Sequence, residues 1–250
     1  MSYLEEDRKQ AEQGNSIGQY NLGLAYWQGD GINKDLKEAE SWFTKAAQQE
    51  HIEAYSALGG VYMQMKNYQK SIEFYELAVD KGSASAECIL GEIYYHGLYS
   101  EFGIDKDYNK AFTLLKKAAS RILGGASNQA KAQCLLGNMY INAHGTEQNF
   151  EEGLVWLKRS AAHGYVDAEA TIGMVYKKGL GVKQDFTEAL TWFEKAGAQG
   201  HLKACKWAGI LHLKQENFKG AAFFLQLASK WDQEAEELCK KHELWNFKFQ

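Results

Sequence analysis

Residues 168–200 read AEATIGMVYKKGLGVKQDFTEALTWFEKAGAQG, and this stretch decides the fold. Small and apolar residues in its first half recur at intervals of three to five positions, at Ala168, the adjacent pair Ile172 and Gly173, and Tyr176. A similar spacing returns in its second half at Ala189, Trp192, Phe193 and Ala196. Such spacing places the residues on one face of a helix. Gly179 ends the first helix and Asp185 caps the second, so the stretch predicts a helix-turn-helix unit.

The same unit recurs along the chain. Its first half reappears around the glycines Gly23, Gly59, Gly91, Gly137 and Gly173, with a weaker copy at Gly209. Its second half reappears around Ala39, Ser71, Ala111, Gly153, Ala189 and Ala221. A period near 36 residues is typical of a solenoid. We therefore predict an all-α solenoid of about six helix-turn-helix repeats with terminal capping helices.

The repeats also predict the organisation of the chain. We expect one domain over residues 1–250, with a cap at 1–13 and another at 231–250. The repeats are expected at about 14–50, 51–82, 83–128, 129–164, 165–200 and 201–230. Extra residues at Tyr99–Gly103 and Ile122–Asn128 predict one irregular joint. The small residue of each first half predicts close helix packing, and so Gly23→Leu should be badly tolerated.

The consensus A-x-x-x-L-G-x-x-Y-x-x-G-x-G-V, followed by D and A-x-x-W-[YF]-x-K-A-A, resembles the Sel-one-like repeat family, a relative of the tetratricopeptide repeats. The resemblance covers about residues 14–230, and residues 168–200 follow it almost throughout. The repeats at 51–82 and 201–230 lack the glycine loop and look more like tetratricopeptide units. The resemblance implies a right-handed superhelix that serves as an adaptor or scaffold for protein complexes.

Composition excludes several classes of function. The chain has 250 residues, of which 45% are hydrophobic, and it contains no proline, so a sizeable core is expected. The net charge of −4 argues against a general nucleic-acid binder. Residues 1–15 carry no apolar stretch for a signal sequence or membrane span, which predicts a cytoplasmic protein without a membrane role. The four cysteines are widely spaced and are expected to be reduced thiols.

Residues for catalysis are not evident in the sequence. The seven histidines show no HExxH or other paired-ligand spacing, and no metal site is expected. The pairs Gly29/Gly31 and Gly179/Gly181 lack the context of a phosphate loop and are explained as helix ends. No nucleophile has an evident base. We therefore expect no enzymatic activity and no cofactor, with a hydrolase as the less favoured alternative.

The outward face of the first helix of each repeat is the candidate binding surface. Positions three before and one, four and five after each Leu-Gly glycine lie opposite the Leu-Gly-Tyr face. In tetratricopeptide relatives that face lines a concave groove. Read in order, it is aromatic at one end and basic at the other. The candidate partner-binding residues are Tyr20, Trp27, Met63, Glu92, Tyr95, His96, Asn138, Lys177, Lys178, Lys206 and Lys214. The alternative is that Trp27 and Tyr95 belong to the core.

These observations favour a non-enzymatic interaction module that binds a partner protein or peptide in its groove. The lysines favour a partner with an acidic segment. Aromatic residues anchor many protein interfaces. A monomer is expected. The alternative is a bacterial immunity protein that neutralises a cognate toxin by direct binding. The aromatic tail, with Trp245, Phe247 and Phe249, is expected to fold back on the last helix pair.

Overall fold

A computed structural model describes residues 3–121 and 126–247 of the chain. This part of the chain is helical, and its one extended contact is an isolated bridge between Tyr99 and Ile104. The chain divides into two compact units, which we call unit 1 (Met1–Gln129) and unit 2 (Ala130–Gln250). Each unit is described by itself.

Unit 1 consists of consecutive helices that contact one another in chain order. They are α1 (Tyr3–Glu12), α2 (Ser16–Gln28), α3 (Leu36–Gln48), α4 (Ile52–Gln64), α5 (Tyr68–Asp80), α6 (Ala84–His96) and α7 (Tyr108–Ser120). A short 3-10 helix at Ser100–Phe102 lies between α6 and α7. The first helices of the repeats are α2, α4 and α6, and the second helices are α3, α5 and α7.

Unit 2 repeats this arrangement. Its helices are α8 (Ala126–Asn142, most of which lies in this unit), α9 (Phe150–Ala162), α10 (Val166–Lys178), α11 (Phe186–Ala198), α12 (Leu202–Lys214), α13 (Phe218–Ser229) and α14 (Gln233–Lys241). A 3-10 helix at Leu244–Asn246 follows. The first helices are α8, α10 and α12, and the second helices are α9, α11 and α13. The prediction of an all-α solenoid of helix pairs is confirmed.

The turn inside a repeat has the caps that the sequence predicts. In α2 and α10 the helix ends at Gly29 and Gly179, which have left-handed φ angles of 78° and 69°. Asp35 and Asp185 then accept hydrogen bonds from the first backbone N–H groups of α3 and α11. Repeats without the glycine loop turn differently, because Lys66 and Glu216 take the left-handed conformation at φ 60° and 56°.

The glycine of the Leu-Gly phrase provides the space for a large side chain of the second helix. A Cβ atom added at Gly23 would lie 2.7 Å from the Phe43 ring, and one at Gly173 would lie 2.6 Å from the Phe193 ring. Both phenylalanines are at most 1% exposed. The predicted role of these glycines in close packing is therefore confirmed. The close packing that these glycines allow outweighs the cost of about 1 kcal/mol that glycine carries in a helix relative to alanine.

A buried polar residue four positions before that glycine links the two helices of several repeats. Glu87 is 2% exposed and accepts hydrogen bonds from Nε and Nη2 of Arg121, at 2.9 and 2.7 Å. Glu169 is fully buried, accepts from Gln199 at 2.7 Å and lies 2.9 Å from Nζ of Lys195. The carboxylates are thus compensated by partners just beyond or near the end of the second helix.

The two terminal helices differ from the repeats at the positions where a glycine of one helix faces a large side chain of the other. In α1, Asp7 stands where Phe43 stands one repeat later, and it accepts a hydrogen bond from Asn21. In α14, Lys240 occupies the position of the packing glycine. A side chain there leaves no room for a large residue of a following second helix. These helices therefore present polar faces, as expected of caps.

The structure describes the first insertion, part of the second insertion and most of the aromatic C-terminal tail. In the insertion at Tyr99–Gly103, the Tyr99 and Phe102 rings each lie 4.4 Å from that of Tyr68. Residues 122–125 of the second insertion lie outside the described part. The tail folds back through Leu244, which is fully buried and whose carbonyl accepts from Gln226. Trp245 and Phe247 nevertheless remain 48% and 37% exposed, and Phe249 lies outside the described residues.

Candidate partner-binding surfaces

In unit 1, the outward face of α2 presents two rings that also contact the core. Tyr20 is half-buried, its ring stacks on His51 at 4.5 Å, and burial followed by the charge of Glu53 raises its pKa. Trp27 is half-buried, meets the Phe43 ring edge-on at 6.0 Å and packs against Gly60 of α4. Trp27 therefore packs against the core, as the alternative interpretation predicts, and still exposes part of its side chain to a possible partner.

The remaining predicted residues of unit 1 lie on α4 and α6. Tyr95 is half-buried, with its ring 5.7 Å from Tyr108 and 4.8 Å from the exposed His96. Glu92 is half-buried, and its charge is a lesser cause, after burial and Tyr68, of the raised pKa of Tyr99. Met63 is also half-buried. We call Tyr20, Trp27 and Tyr95 the aromatic face.

In unit 2, three of the predicted lysines lie close together. Lys177 and Lys178 end α10 and Lys214 ends α12. Nζ of Lys177 lies 3.2 Å from the centroid of the Trp207 ring, and Nζ of Lys214 lies 5.2 Å from that of Phe186. Burial and the charges of Lys178 and Lys214 lower the pKa of Lys177. We call these three lysines the lysine cluster, and none has an ion pair within the described part of the chain.

The fourth lysine of the predicted stripe has partners of its own. Nζ of Lys206 lies 3.0 Å from Asp232 and 2.5 Å from Glu234, and both carboxylates belong to the start of the α14 region. The hydrogen bond with Glu234 raises the pKa of Lys206, although burial opposes the shift. Lys206 therefore holds α14 against α12 rather than joining the lysine cluster. Asn138 is half-buried on α8, with Nδ2 3.8 Å from Sγ of Cys134.

Burial lowers the reactivity of the cysteine thiols. All four cysteines are buried, and none of them forms a disulfide. Burial, followed by the charge of Asp167, raises the pKa of Cys134 to about 12, and burial also raises the pKa of Cys205 and Cys239. A thiol with a raised pKa is a poor nucleophile at neutral pH. Among the described residues, no cluster of three or more His, Cys, Asp or Glu side chains has the arrangement of a metal site.

A histidine–glutamate pair has a structural explanation. Nε2 of His212 lies 2.8 Å from Glu194. His212 occupies the tyrosine position of the repeat, and Tyr62 donates to Glu40 at 2.5 Å from the equivalent position in unit 1. Burial and this hydrogen bond raise the pKa of Tyr62 to about 12. The histidine pair therefore continues a recurring link between successive repeats.

The repeat geometry agrees with comparisons against known families. The Sel1 repeat model matches residues 16–51, 84–121, 130–165 and 166–201, and a tetratricopeptide repeat model matches residues 52–80. The chain belongs to the Sel1 repeat family. The predicted resemblance is thus confirmed, including the tetratricopeptide character of the second repeat.

Relatives of this Sel1 repeat chain include an Arabidopsis thaliana protein described as the ERAD-associated E3 ubiquitin-protein ligase component HRD3B. It is 32% identical over 108 residues, which are 41% of this chain and 16% of that protein. The chain spans only 8% to 23% of the length of the first three curated relatives it matches. Similarity therefore concerns the repeats rather than those whole proteins.

Two solved structures resemble the Sel1 repeat chain. A Sel1 repeat protein from Oxalobacter formigenes is 31% identical with a TM-score of 0.63, over 77% of this chain and 75% of that one. A protective antigen of uropathogenic Escherichia coli with an SLR fold has a TM-score of 0.81 at 24% identity, over 94% of this chain and 50% of that one. In the described residues, no helix is long and apolar enough to cross a membrane.

Proposed function

We propose that this Sel1 repeat chain is a non-enzymatic adaptor that binds a partner protein through the outward faces of its first helices. The lysine cluster of unit 2 carries the proposal, because three like charges lie together without a counter-charge from the described residues. An acidic segment of a partner would relieve this repulsion and gain three favourable charge contacts. The partner predicted from the sequence, a protein with an acidic segment, fits this surface.

Two aromatic rings lie beneath the lysine cluster and favour contact with a partner in one defined geometry. The ring of Trp207 lies beneath Lys177, and that of Phe186 lies beneath Lys214. Rings beneath the ammonium groups limit the side-chain freedom that a partner would otherwise have to remove on binding. Lys178 and Lys214 remain exposed, and so their charges are accessible to a carboxylate.

The aromatic face of unit 1 supports the same class of function with different chemistry. Its three rings are half-buried and held by ring contacts, as with Tyr20 against His51 and Tyr95 against Tyr108. Tyrosine and tryptophan held in this way are enriched among residues that dominate interface energy. We propose that this face contributes apolar contacts, and that the charged contacts belong to unit 2.

The name of the HRD3B relative describes a component of a ligase complex, which supports an adaptor role by analogy within the family. A cytoplasmic location and the alternative of a bacterial immunity protein stay predictions. The hydrolase alternative has no support from a described cluster of residues. No observation favours a second function over binding.

Affinity capture with matched variants tests the proposal. The double variant Lys178→Glu/Lys214→Glu reverses the exposed charges of the lysine cluster and leaves the packed Lys177 intact. The control Lys203→Glu/Lys241→Glu makes the same change in net charge at exposed lysines elsewhere in unit 2. We expect quantitative mass spectrometry to find partners retained by wild type and the control but at least about tenfold depleted with the cluster variant. Equal capture by all three proteins would refute the assignment.

A further inference from the structure

The last second helix, α13, exposes an apolar stripe that its counterparts lack. Phe223 and Leu227 are 42% and 38% exposed, and Trp231 just beyond the helix is 78% exposed. Phe223 and Leu227 are four positions apart on one ridge of the helix, and Trp231 follows four positions later, beyond the helix end. A contiguous exposed apolar patch of a few hundred Å² is often a functional surface of a protein.

The other second helices serve as internal controls, because each has two exposed residues at the positions of Phe223 and Leu227. The pairs are Ser41 and Lys45, Glu73 and Leu77, Thr113 and Lys117, Val155 and Arg159, and Thr191 and Lys195. Each contains at least one charged residue, whereas α13 has none. The repeat fold does not require apolar residues here, and the stripe therefore needs another explanation.

The folded-back tail enlarges this surface. Nε2 of Gln226 on α13 donates to the carbonyl groups of Leu244 and Phe247, at 2.7 and 3.2 Å, which holds the tail against α13. Trp245 and Phe247 add two exposed rings. Since a buried aromatic side chain covers about 150–250 Å², the exposed parts of the four aromatic side chains, together with that of Leu227, offer roughly 500 Å². Two such surfaces give about 1,000 Å², close to the minimum for a specific interface.

The order of residues along α13 indicates a second copy of this chain as the occupant. The exposed residues Lys219, Phe223, Leu227 and Trp231 follow one another at intervals of four. When a second α13 lies antiparallel across the first, Phe223 meets Leu227 of the other copy, and Lys219 meets Trp231. The stripe is thus complementary to itself in both apolar contact and cation–π contact, as a two-fold interface requires.

The charge of unit 2 is compatible with such a contact. Residues 130–250 contain 14 acidic and 15 basic residues, and so two copies of the unit repel one another only weakly. We infer that this chain forms a two-fold dimer through Lys219, Phe223 and Leu227 of α13, Trp231 just beyond that helix, and the tail held against α13. The inference is independent of the proposed adaptor function, and it differs from the monomer expected from the sequence.

Sedimentation equilibrium of the full chain tests the dimer. The wild-type mass should rise from 28.2 kDa toward twice that value between about 5 and 200 µM, because an interface of this size gives weak association. The variant Phe223→Thr/Leu227→Lys carries the residues that α11 has at these positions, which the fold accepts. It should remain near 28.2 kDa, with unchanged circular dichroism. The control Val155→Thr, at the matching position of α9, should dimerise as wild type does.

Three results would overturn the inference. A wild-type mass that stays at 28.2 kDa up to about 200 µM excludes the dimer. Equal association of Phe223→Thr/Leu227→Lys and wild type removes α13 from the interface. Sedimentation of a monomeric wild type with phosphatidylcholine vesicles, lost in that variant, would assign the stripe to a lipid surface instead.

Discussion

Units 1 and 2 carry different chemistry at the same repeat positions. Four residues after the packing glycine, unit 1 has Trp27, Met63 and Tyr95, whereas unit 2 has Ile141, Lys177 and Leu213. Five residues after it, unit 1 has Gln28, Gln64 and His96, whereas unit 2 has Asn142, Lys178 and Lys214. Residues 1–129 contain 18 acidic and 13 basic residues, against 14 and 15 in residues 130–250. One scaffold thus supports an aromatic face in an acidic unit and a lysine cluster in a nearly neutral one.

The inward positions explain why this difference is tolerated. Gly23 in unit 1 and Gly173 in unit 2 face a phenylalanine at nearly the same distance, and neither leaves room for a side chain. Packing therefore restricts the inward residues of both units to the same types, while the outward residues are free to vary. Stability should depend on the shared positions, and binding should depend on the outward ones.

The largest expected effect comes from filling the glycine space in unit 2. Gly173→Leu places a side chain where even a Cβ lies 2.6 Å from Phe193, and we expect a loss of about 3 kcal/mol or more in the free energy of unfolding. Thr171→Leu, on the same helix but half-buried, is the matched control and should cost less than about 1 kcal/mol. Urea unfolding measures both, and similar losses would contradict the packing account.

The next effect concerns the buried link in unit 1. Glu87→Gln keeps the size of the side chain but removes the charge that Arg121 engages through two nitrogen atoms. We expect a loss of about 1–3 kcal/mol in the free energy of unfolding, because charge-assisted hydrogen bonds are stronger than neutral ones. The exposed Glu73→Gln on α5 should change stability by less than about 0.5 kcal/mol. A stable Glu87→Gln protein would show that the link is dispensable.

A stabilising change is expected at the turns that lack glycine. Lys66 in unit 1 and Glu216 in unit 2 both have left-handed φ angles, which glycine adopts without steric cost. Lys66→Gly and Glu216→Gly should each raise the free energy of unfolding by about 1 kcal/mol. Differential scanning calorimetry measures the gain. If Lys66→Gly lowers the melting temperature, the left-handed turn is not a source of strain.

The smallest expected effect is the pH dependence of the Lys206–Asp232 contact in unit 2. The hydrogen bond with Lys206 lowers the pKa of Asp232 below its ordinary 3.8. The hydrogen bond with Glu234, followed by that with Asp232, raises the pKa of Lys206 above its ordinary 10.5. The contact therefore contributes fully between these ordinary values. Its contribution is lost as pH falls through the lowered carboxyl pKa or rises through the raised lysine pKa.

Lys206→Met should remove about 0.5 kcal/mol of stability at pH 7, since partly exposed ion pairs contribute little. The difference between wild type and variant should disappear well below pH 3.8, the ordinary pKa of the aspartate. Urea unfolding at several pH values measures this difference. A difference that stays constant across the acid range would assign the loss to packing of the lysine stem rather than to its charge.

The sequence predicted the helix pairs well because their signals are local. Glycine, aspartate and apolar residues within one repeat determine where its helices begin, end and pack, as Gly179 and Asp185 illustrate. The partners of Lys206 were missed, because Asp232 lies 26 residues away at the start of α14, beyond the intervening helix α13, and only the packed structure brings the two together. The links of Glu87 and Glu169 recur at one position and could have been found by aligning polar residues across repeats.

The candidate surfaces were predicted only in part. The candidate residues named from the sequence are half-buried or exposed, but Cys88, Cys134 and Ile141 occupy equivalent positions on other first helices and are buried. Whether the candidate residues bind a partner stays a prediction. The contacts that hold them, such as the Trp207 ring beneath Lys177, depend on packing between repeats. The stripe on α13 leaves a signal in the sequence as well, because Phe223 and Leu227 stand where α11 has Thr191 and Lys195.

The most direct test of the central claim is the salt dependence of partner affinity. A captured partner is titrated against wild type, Lys178→Glu/Lys214→Glu and Tyr20→Ala/Tyr95→Ala by isothermal calorimetry at about 50 and 500 mM NaCl, since salt screens charge contacts between exposed groups. We predict that the lysine variant loses affinity and most of its salt dependence, whereas the aromatic variant loses affinity equally at both salt concentrations. Wild-type affinity and salt dependence in both variants would contradict the division of binding chemistry between the two units.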